Sequence, residues 1–450
     1  MSNNAQHVSG NRSTSIVTPV VLLAVFVMPI SISGTAIALP AIAAELGDSP
    51  AALQWVVNGF NIPFALFTLI WGAVADRVGY KRTFALGALI SLVGSALSVL
   101  ASHLLILDAG RLLAGVGGAA IVTGGTALLS TTHSGAKRAK AFALLGTVVG
   151  LGLATGPTIS GGLVALVGWR GVFATAGVIS ITAVIASVVL PADAASVARE
   201  RGKAIDFSPL RNRYFLSIAL VPVAVALGYV PILTYLPVAL SAVSGMDAGR
   251  AGLLMLPLTV PVLIAPALAS MLVHRVQSIT PMIIFNVAMA ALVVGDLGLL
   301  VLGPERPVQL LVLPMLLLGF GFGLPLGLID AEALAAVPTN KSGAAAGVLN
   351  FLRLGSEAVV VAAYAAFMTA LLVAGIDNST DAHRAAAGWD GASSAYAAAF
   401  HLVVIAMSVL TLILAALINL LHRSHRRQGG ETAQRQQLDT DPDIATVSVS

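Results

Sequence analysis

The chain reads as an all-α polytopic membrane protein whose twelve helices cross a bilayer in two six-helix halves. Three observations predict this. First, the 450 residues are 57% hydrophobic and only 10% charged, against about 25% charged in an ordinary soluble domain. Second, twelve apolar runs fall at residues 16–39, 55–75, 84–101, 104–129, 139–167, 169–190, 214–238, 252–272, 280–302, 308–331, 343–374 and 396–421. Each is about long enough for a hydrocarbon core of roughly 30 Å. Third, the longest polar interior stretch, 191–213, follows the sixth run and separates residues 16–190 from 214–421 as a linker between halves. Lipid cannot satisfy backbone polar groups, so each run is expected to be a helix.

Residues 1–15 are polar, and the run after them is too long for a signal-peptide core. It is expected to be the first permanent span. The segments 1–15 and 422–450, the latter rich in Gln, Asp and Thr, are expected to lack fixed structure. With both termini inside, 18 of the 24 Lys and Arg fall on the cytoplasmic side and only Arg170, Arg250, Arg306 and Arg384 outside. That asymmetry predicts both termini in the cytoplasm. The net charge of +4 does not point to nucleic acid, because the basic residues sit in short loops rather than on one aromatic-laced face. With no cysteine there is no disulfide framework, thiolate metal site or cysteine nucleophile. His103, His274 and His401 are scattered without metal-ligand spacing, so no enzyme, cofactor or metal is expected.

Between the second and third runs, residues 72–82 read G-A-V-A-D-R-V-G-Y-K-R. Gly72 and Gly79 permit close approach and a tight turn. Asp76 and Arg77 can pair with charges and helix ends nearby, and Lys81 and Arg82 follow. The stretch resembles the loop G-x-x-x-D-R-x-G-x-[RK]-[RK] between helices 2 and 3 of the major facilitator superfamily. The resemblance implies the major facilitator fold, transport by alternating access, and a conformational latch made in one state and broken in the other. Residues 270–276 repeat its position and its R-V pair without the glycines or the acid, as a duplicated second half would.

The fifth run carries Gly146, Gly150, Gly152, Gly156-Pro157 and Gly161-Gly162. Gly152, Gly156, Pro157 and Gly161 resemble the antiporter motif G-x-x-x-G-P-x-x-x-G of the family's exporters, with Trp169-Arg170 as a further family mark. This implies a helix contact that seals the outer end while the cavity opens inward; ordinary small-residue packing is the other reading. In the fourth run, Asp108 and Arg111 precede a stretch resembling R-x-x-Q-G, with Ala114 in place of the glutamine. The resemblance associates this arginine with proton coupling, and Asp108, three residues away, can partner it; a structural ion pair is the alternative. The eleventh run holds Arg353 and Glu357 at i and i+4, with Asn350 one turn earlier. Glu357, about 21 Å from the inner end at 1.5 Å per residue, is the first candidate for a proton carrier, or else half of a packing ion pair. Asp296 ranks below it, and Asp330 and Glu332 are read as solvated.

The stretches 53–58, 235–237, 251–257, 319–323 and 344–353 resemble the drug:proton antiporters, whose usual members have fourteen helices. This chain lacks the two extra central spans and, over residues 31–40, the acid that the family's first helix usually carries. The fold implies a cavity reached by Asn58, Asn61, Phe64, Phe67, Tyr229, Tyr235, Asn350 and Phe351 among aliphatic residues, suited to amphipathic organic molecules. The expected function is efflux of an antibiotic, drug or secondary metabolite in exchange for protons, by a monomer in a bacterial inner membrane. Export of a siderophore or other metabolite, and facilitation or import without proton coupling, are the alternatives.

Overall fold

The computed structural model describes residues 16–47, 50–133, 135–191, 208–338 and 342–440. The expected linker falls mostly, and residues 1–15 entirely, outside the described residues, as do the side chains of Asp76 and Asn350. Among the described residues every regular element is a helix. α1 is a bent pair, Ile16–Ile32 and Ala36–Leu46. It is followed by α2 (Pro50–Val78), α3 (Tyr80–Val99), α4 (Leu104–Thr132), α5 (Gly135–Val167) and α6 (Arg170–Ser187). The second half comprises α7 (Arg213–Ser244), α8 (Ala248–Arg275), α9 (Pro281–Val301), α10 (Val308–Ala333), α11 (Ser342–Gly375) and α12 (Ser393–Thr440). Among the described residues, nine helices are long and apolar enough to cross a bilayer, or eleven if each of two bent pairs is one span. The 29-residue α2 stands outside that count.

Local sequence explains the breaks. α1 bends by 46° across Ser33-Gly34-Thr35, and Gly34 lies directly against the Ser160 side chain of α5. α5 bends by 42° between Leu153 and Thr155. Pro157 lacks the N–H that would bond to the Leu153 carbonyl, so the ladder opens there. The turn before α3 is made by Gly79 at φ 100°, in the left-handed region that side chains avoid. At the end of the chain the helical path of α12 runs past its apolar portion through Thr440. Arg, Gln, Ala and Glu in that stretch are good helix formers, although Gly429 and Gly430 within it are not.

Apolar burial cannot hold helices together in lipid, so close backbone approach must do so. α3 and α4 meet along Gly87 and Gly94 on one side and Gly110, Gly117 and Gly124 on the other, each series repeating every seven residues. A Cβ on Gly87 would stand 2.8 Å from the Gly117 carbonyl, and one on Gly124 2.7 Å from the Phe84 amide. The stretch 72–82, expected as a loop, is the last turns of α2, the turn at Gly79 and the start of α3. It is bound within its own half, where Lys81 Nζ donates to the Leu190 carbonyl at 2.5 Å and the Val188 carbonyl at 3.1 Å, at the end of α6. Across the halves, α5 packs on α8 and α2 on α11.

Replacing Gly124 with Leu is expected to lower stability by about 1–3 kcal/mol through overpacking, read as an earlier thermal unfolding transition in detergent. Gly162→Leu, where a new Cβ meets nothing within 4 Å, is expected to leave the transition near its original position.

Candidate functional site between the halves

The end of the bundle carrying residues 72–82 is called here the basic end. Near the opposite end, Arg111 of α4 is buried, 2% exposed. Its Nε donates to the Val56 carbonyl at 2.8 Å and its Nη2 to the Ser31 carbonyl at 3.1 Å. Its guanidinium lies over the rings of Phe60 and Phe173, at 4.8 and 5.4 Å. One side chain therefore joins α1, α2, α4 and α6. The expected pairing with Asp108 does not form: no ion pair joins them within 4.0 Å. A buried carboxylate oxygen of Asp108 has no hydrogen-bond partner. The reason is local, because the break in α1 presents the Ser31 carbonyl, which also accepts from the Thr35 hydroxyl at 2.8 Å. Arg111 is satisfied there by backbone.

A second buried cation lies toward the basic end. Arg353 of α11 donates from Nη2 to Asp330 Oδ2 of α10 at 3.0 Å, with both side chains about nine-tenths buried. This corrects two expectations: Arg353 pairs with Asp330 rather than Glu357, and Asp330 is not solvated. α10 is interrupted at 324–327, and Gly327 at φ 84° turns the segment Leu328–Ala335 so that Asp330 points inward. Glu332 is likewise engaged, accepting from the Tyr214 hydroxyl at 2.7 Å. Glu357 is 2% exposed and its Oε2 is without a partner, as is Arg353 Nε. Gly146 of α5 covers this pair from the other half. A Cβ there would stand 3.3 Å from Arg353 Nη1 and 3.4 Å from Asp330 Oδ2.

The α5 motif divides its contacts. Gly152 packs against Phe26 and Pro29 of α1. Gly156 and Pro157 are buried, and Gly161 faces α8 across the halves. A Cβ on Gly161 would lie 2.7 Å from the Ala248 carbonyl and 3.1 Å from Gly252 Cα. Thr158 donates from Oγ1 to the Gly252 carbonyl at 3.0 Å, along the same seam. Beside it stands an anchor that the sequence reading missed on one side. Glu45 of α1 accepts from Arg170 Nη1 at 2.6 Å and from Trp169 Nε1 at 2.8 Å, while Arg170 also donates to the carbonyls of Val99 and Ala101. An isolated acid at the end of an apolar run, level with the basic start of another, was the available signal.

The proposed cavity contacts are dispersed. Asn61 and Phe64 are buried, with both amide atoms of Asn61 and Oδ1 of Asn58 unpartnered. Phe67 and Phe351 are half-buried. Tyr229 instead packs inside the second half, stacked on Phe322 at 4.2 Å with its hydroxyl donating to the Leu258 carbonyl at 3.3 Å. Tyr235 stacks on Tyr364 at 4.9 Å. It lines a cavity of about 20 Å³ with Leu39, Leu53, Val57 and Met368. Leu39, Leu53 and Val57 of the first half thus meet Tyr235 and Met368 of the second at the opposite end. Arg77 and Arg82 are exposed. Among the described residues no cluster of three or more His, Cys, Asp or Glu has the placement to hold a metal.

The Major Facilitator Superfamily profile matches residues 21–361. The tetracenomycin C resistance and export protein of Streptomyces glaucescens is 31% identical over 174 residues, 38% of this chain and 32% of that protein, so the match spans about a third of the relative. The riboflavin transporter RibZ of Clostridioides difficile is 25% identical over 405 residues, covering 78% of this chain and 88% of that one. A crystal structure of a bacterial homolog of the human lysosomal transporter Spinster superposes with a TM-score of 0.64 at 19% identity, over 93% of this chain and 98% of that one. With its helical halves and its glycine seam, the chain belongs to the Major Facilitator Superfamily, a family of membrane transporters rather than enzymes.

Proposed function

We propose that the protein is a secondary active exporter of amphipathic organic compounds, working by alternating access in exchange for protons. The observation that carries this reading is the seam between Gly161 of α5 and Gly252 of α8, where two backbones from different halves meet with no side chain between them. Such a seam closes one end of the bundle. The Lys and Arg asymmetry supports a cytoplasmic basic end, which would turn the seam outward, as an exporter loading from inside requires. Aliphatic walls with few polar groups, Asn58 and Asn61 among them, suit an antibiotic-like or other lipophilic substrate. The export named for the tetracenomycin C relative supports the same direction.

Glu357 is the proposed proton carrier. Arg353 has one carboxylate in hand, Asp330, and a second one helical turn away. When Glu357 gives up its proton, its new charge competes with Asp330 for Arg353. A shift of Arg353 would then disturb the surface on which Gly146 of the other half rests. The charged junction of α2 and α3 at 72–82 would serve as the latch between states, while its Lys81 stays tied to α6. A facilitator without proton coupling is the second reading, favoured by the lack of any acid over residues 31–40.

Everted vesicles and proteoliposomes separate these readings. Glu357→Gln is expected to abolish accumulation driven by a pH gradient while leaving substrate exchange intact. Asp330→Asn, which leaves Arg353 only Glu357, is expected to reduce gradient-driven transport by about tenfold, equivalent to about 1.4 kcal/mol of lost coupling. Full gradient-driven transport in both variants would favour the facilitator.

Gly161→Leu and Gly252→Leu are each expected to open the seam and make vesicles leaky to substrate, whereas Gly162→Leu should not. Tight, coupled efflux in both seam variants would reduce the motif to ordinary packing.

A further inference from the structure

We propose that Asp296 of α9 is a second proton-binding site, enclosed among α7, α9, α11 and α12 and separate from the Arg353–Asp330–Glu357 group. Asp296 is 0% exposed, and neither carboxylate oxygen has a hydrogen-bond partner. Its place among the helices follows from three contacts. Asn286 of α9 exchanges amide hydrogen bonds with Asn419 of α12, at 3.1 and 2.6 Å. Further along, His401 Nε2 of α12 meets the Leu302 carbonyl at 2.9 Å. Between antiparallel helices, each step forward on one is a step back on the other. Counting from either contact therefore brings Asp296 level with Ser408, within one residue. On the third side, a Cβ on Gly228 of α7 would stand 3.5 Å from Asp296 Oδ2, so the glycine leaves room for the carboxyl.

The surroundings supply hydroxyls; α11 also carries Arg353 and Glu357, 11 and 7 residues before Tyr364, with Arg353 held by Asp330. Ser408 and Thr411 of α12 and Tyr364 of α11 each have a buried hydroxyl without a partner, and Tyr364 interacts electrostatically with Asp296. The other titratable groups on the packed helices are engaged or distant in sequence. On α7, Tyr229 donates to the Leu258 carbonyl and Tyr235 stacks on Tyr364. On α12, His401 meets the Leu302 carbonyl, and Tyr396 lies near the start of the helix. On α10, Asp330 and Glu332 are held by Arg353 and Tyr214. Residues 214–244, 281–301, 308–333 and 393–421 contain no Lys or Arg at all. A bare carboxylate without a cation partner is costly to bury, and a proton neutralises it within the existing packing. The protonated carboxyl needs only one acceptor; no hydroxyl is hydrogen-bonded to Asp296 as the side chains stand, and Ser408, level with it on α12, is the partner proposed for the protonated form. The site does not depend on the role proposed for Glu357.

Infrared difference spectra of the full chain in lipid nanodiscs, recorded through a pH titration, test this directly. The carbonyl stretch of a protonated carboxylic acid should lose one component in Asp296→Asn and a different one in Glu357→Gln. Ser408→Ala should retain the Asp296 component at a shifted frequency, which keeps the test open if Asp296→Asn fails to fold. An unchanged spectrum in Asp296→Asn, no shift in Ser408→Ala, or discharge of the component by Na⁺ at constant pH would each overturn the proposal, the last by making the site one for sodium.

Discussion

Backbone-to-backbone contact at glycine is the constraint on which the rest of this structure depends. In lipid an exposed leucine gains little by being covered, so a helix pair holds together by dispersion and by approaching closely enough for its backbones to touch. The α3–α4 seam does this inside the first half. The α5–α8 seam does it between halves, where Gly161 and Gly252 face each other. The first fixes a rigid body, and the second joins two bodies along a line with few polar bonds to break. A seam of that kind can separate and re-form, as alternating access demands.

Buried charge is handled in two ways. Arg111 is anchored by backbone carbonyls and aromatic faces, which suits a fixed fastening among four helices, while Asp108 acts on it electrostatically without forming an ion pair. Arg353 is held by a carboxylate and has another within one turn. The same residue type thus serves as a fastening in the first half and stands ready for exchange in the second. On the proposed function, that difference favours α11 over α4 as the place of proton coupling.

Much of the fold was legible in the sequence because lipid imposes a simple rule: apolar runs of the right length, each a helix, divided by one polar stretch. The α5 motif was legible for the same reason, since only small residues permit such approach. Side-chain partnerships were not. The i, i+3 spacing of Asp108 and Arg111 and the i, i+4 spacing of Arg353 and Glu357 both suggested pairs, yet both arginines turned to groups on other helices. Ser31's carbonyl became available through the break in α1, and Asp330 moved inward through the left-handed turn at Gly327. Neither event has a signature in helical periodicity. Glu45 went unnoticed because its partners, Trp169 and Arg170, lie more than a hundred residues away.

On the proposed function, the Gly161–Gly252 seam opens and closes one end of the transporter. The chain contains no cysteine, so spin labels can be introduced at Leu166→Cys on α5 and Leu253→Cys on α8, both exposed beside the seam. Pulsed electron–electron distance measurement in nanodiscs should find a short distance that lengthens in part of the population when substrate is added, and a predominantly long distance once Gly161→Leu is introduced. A single distance, unchanged by substrate and by Gly161→Leu, would contradict the account.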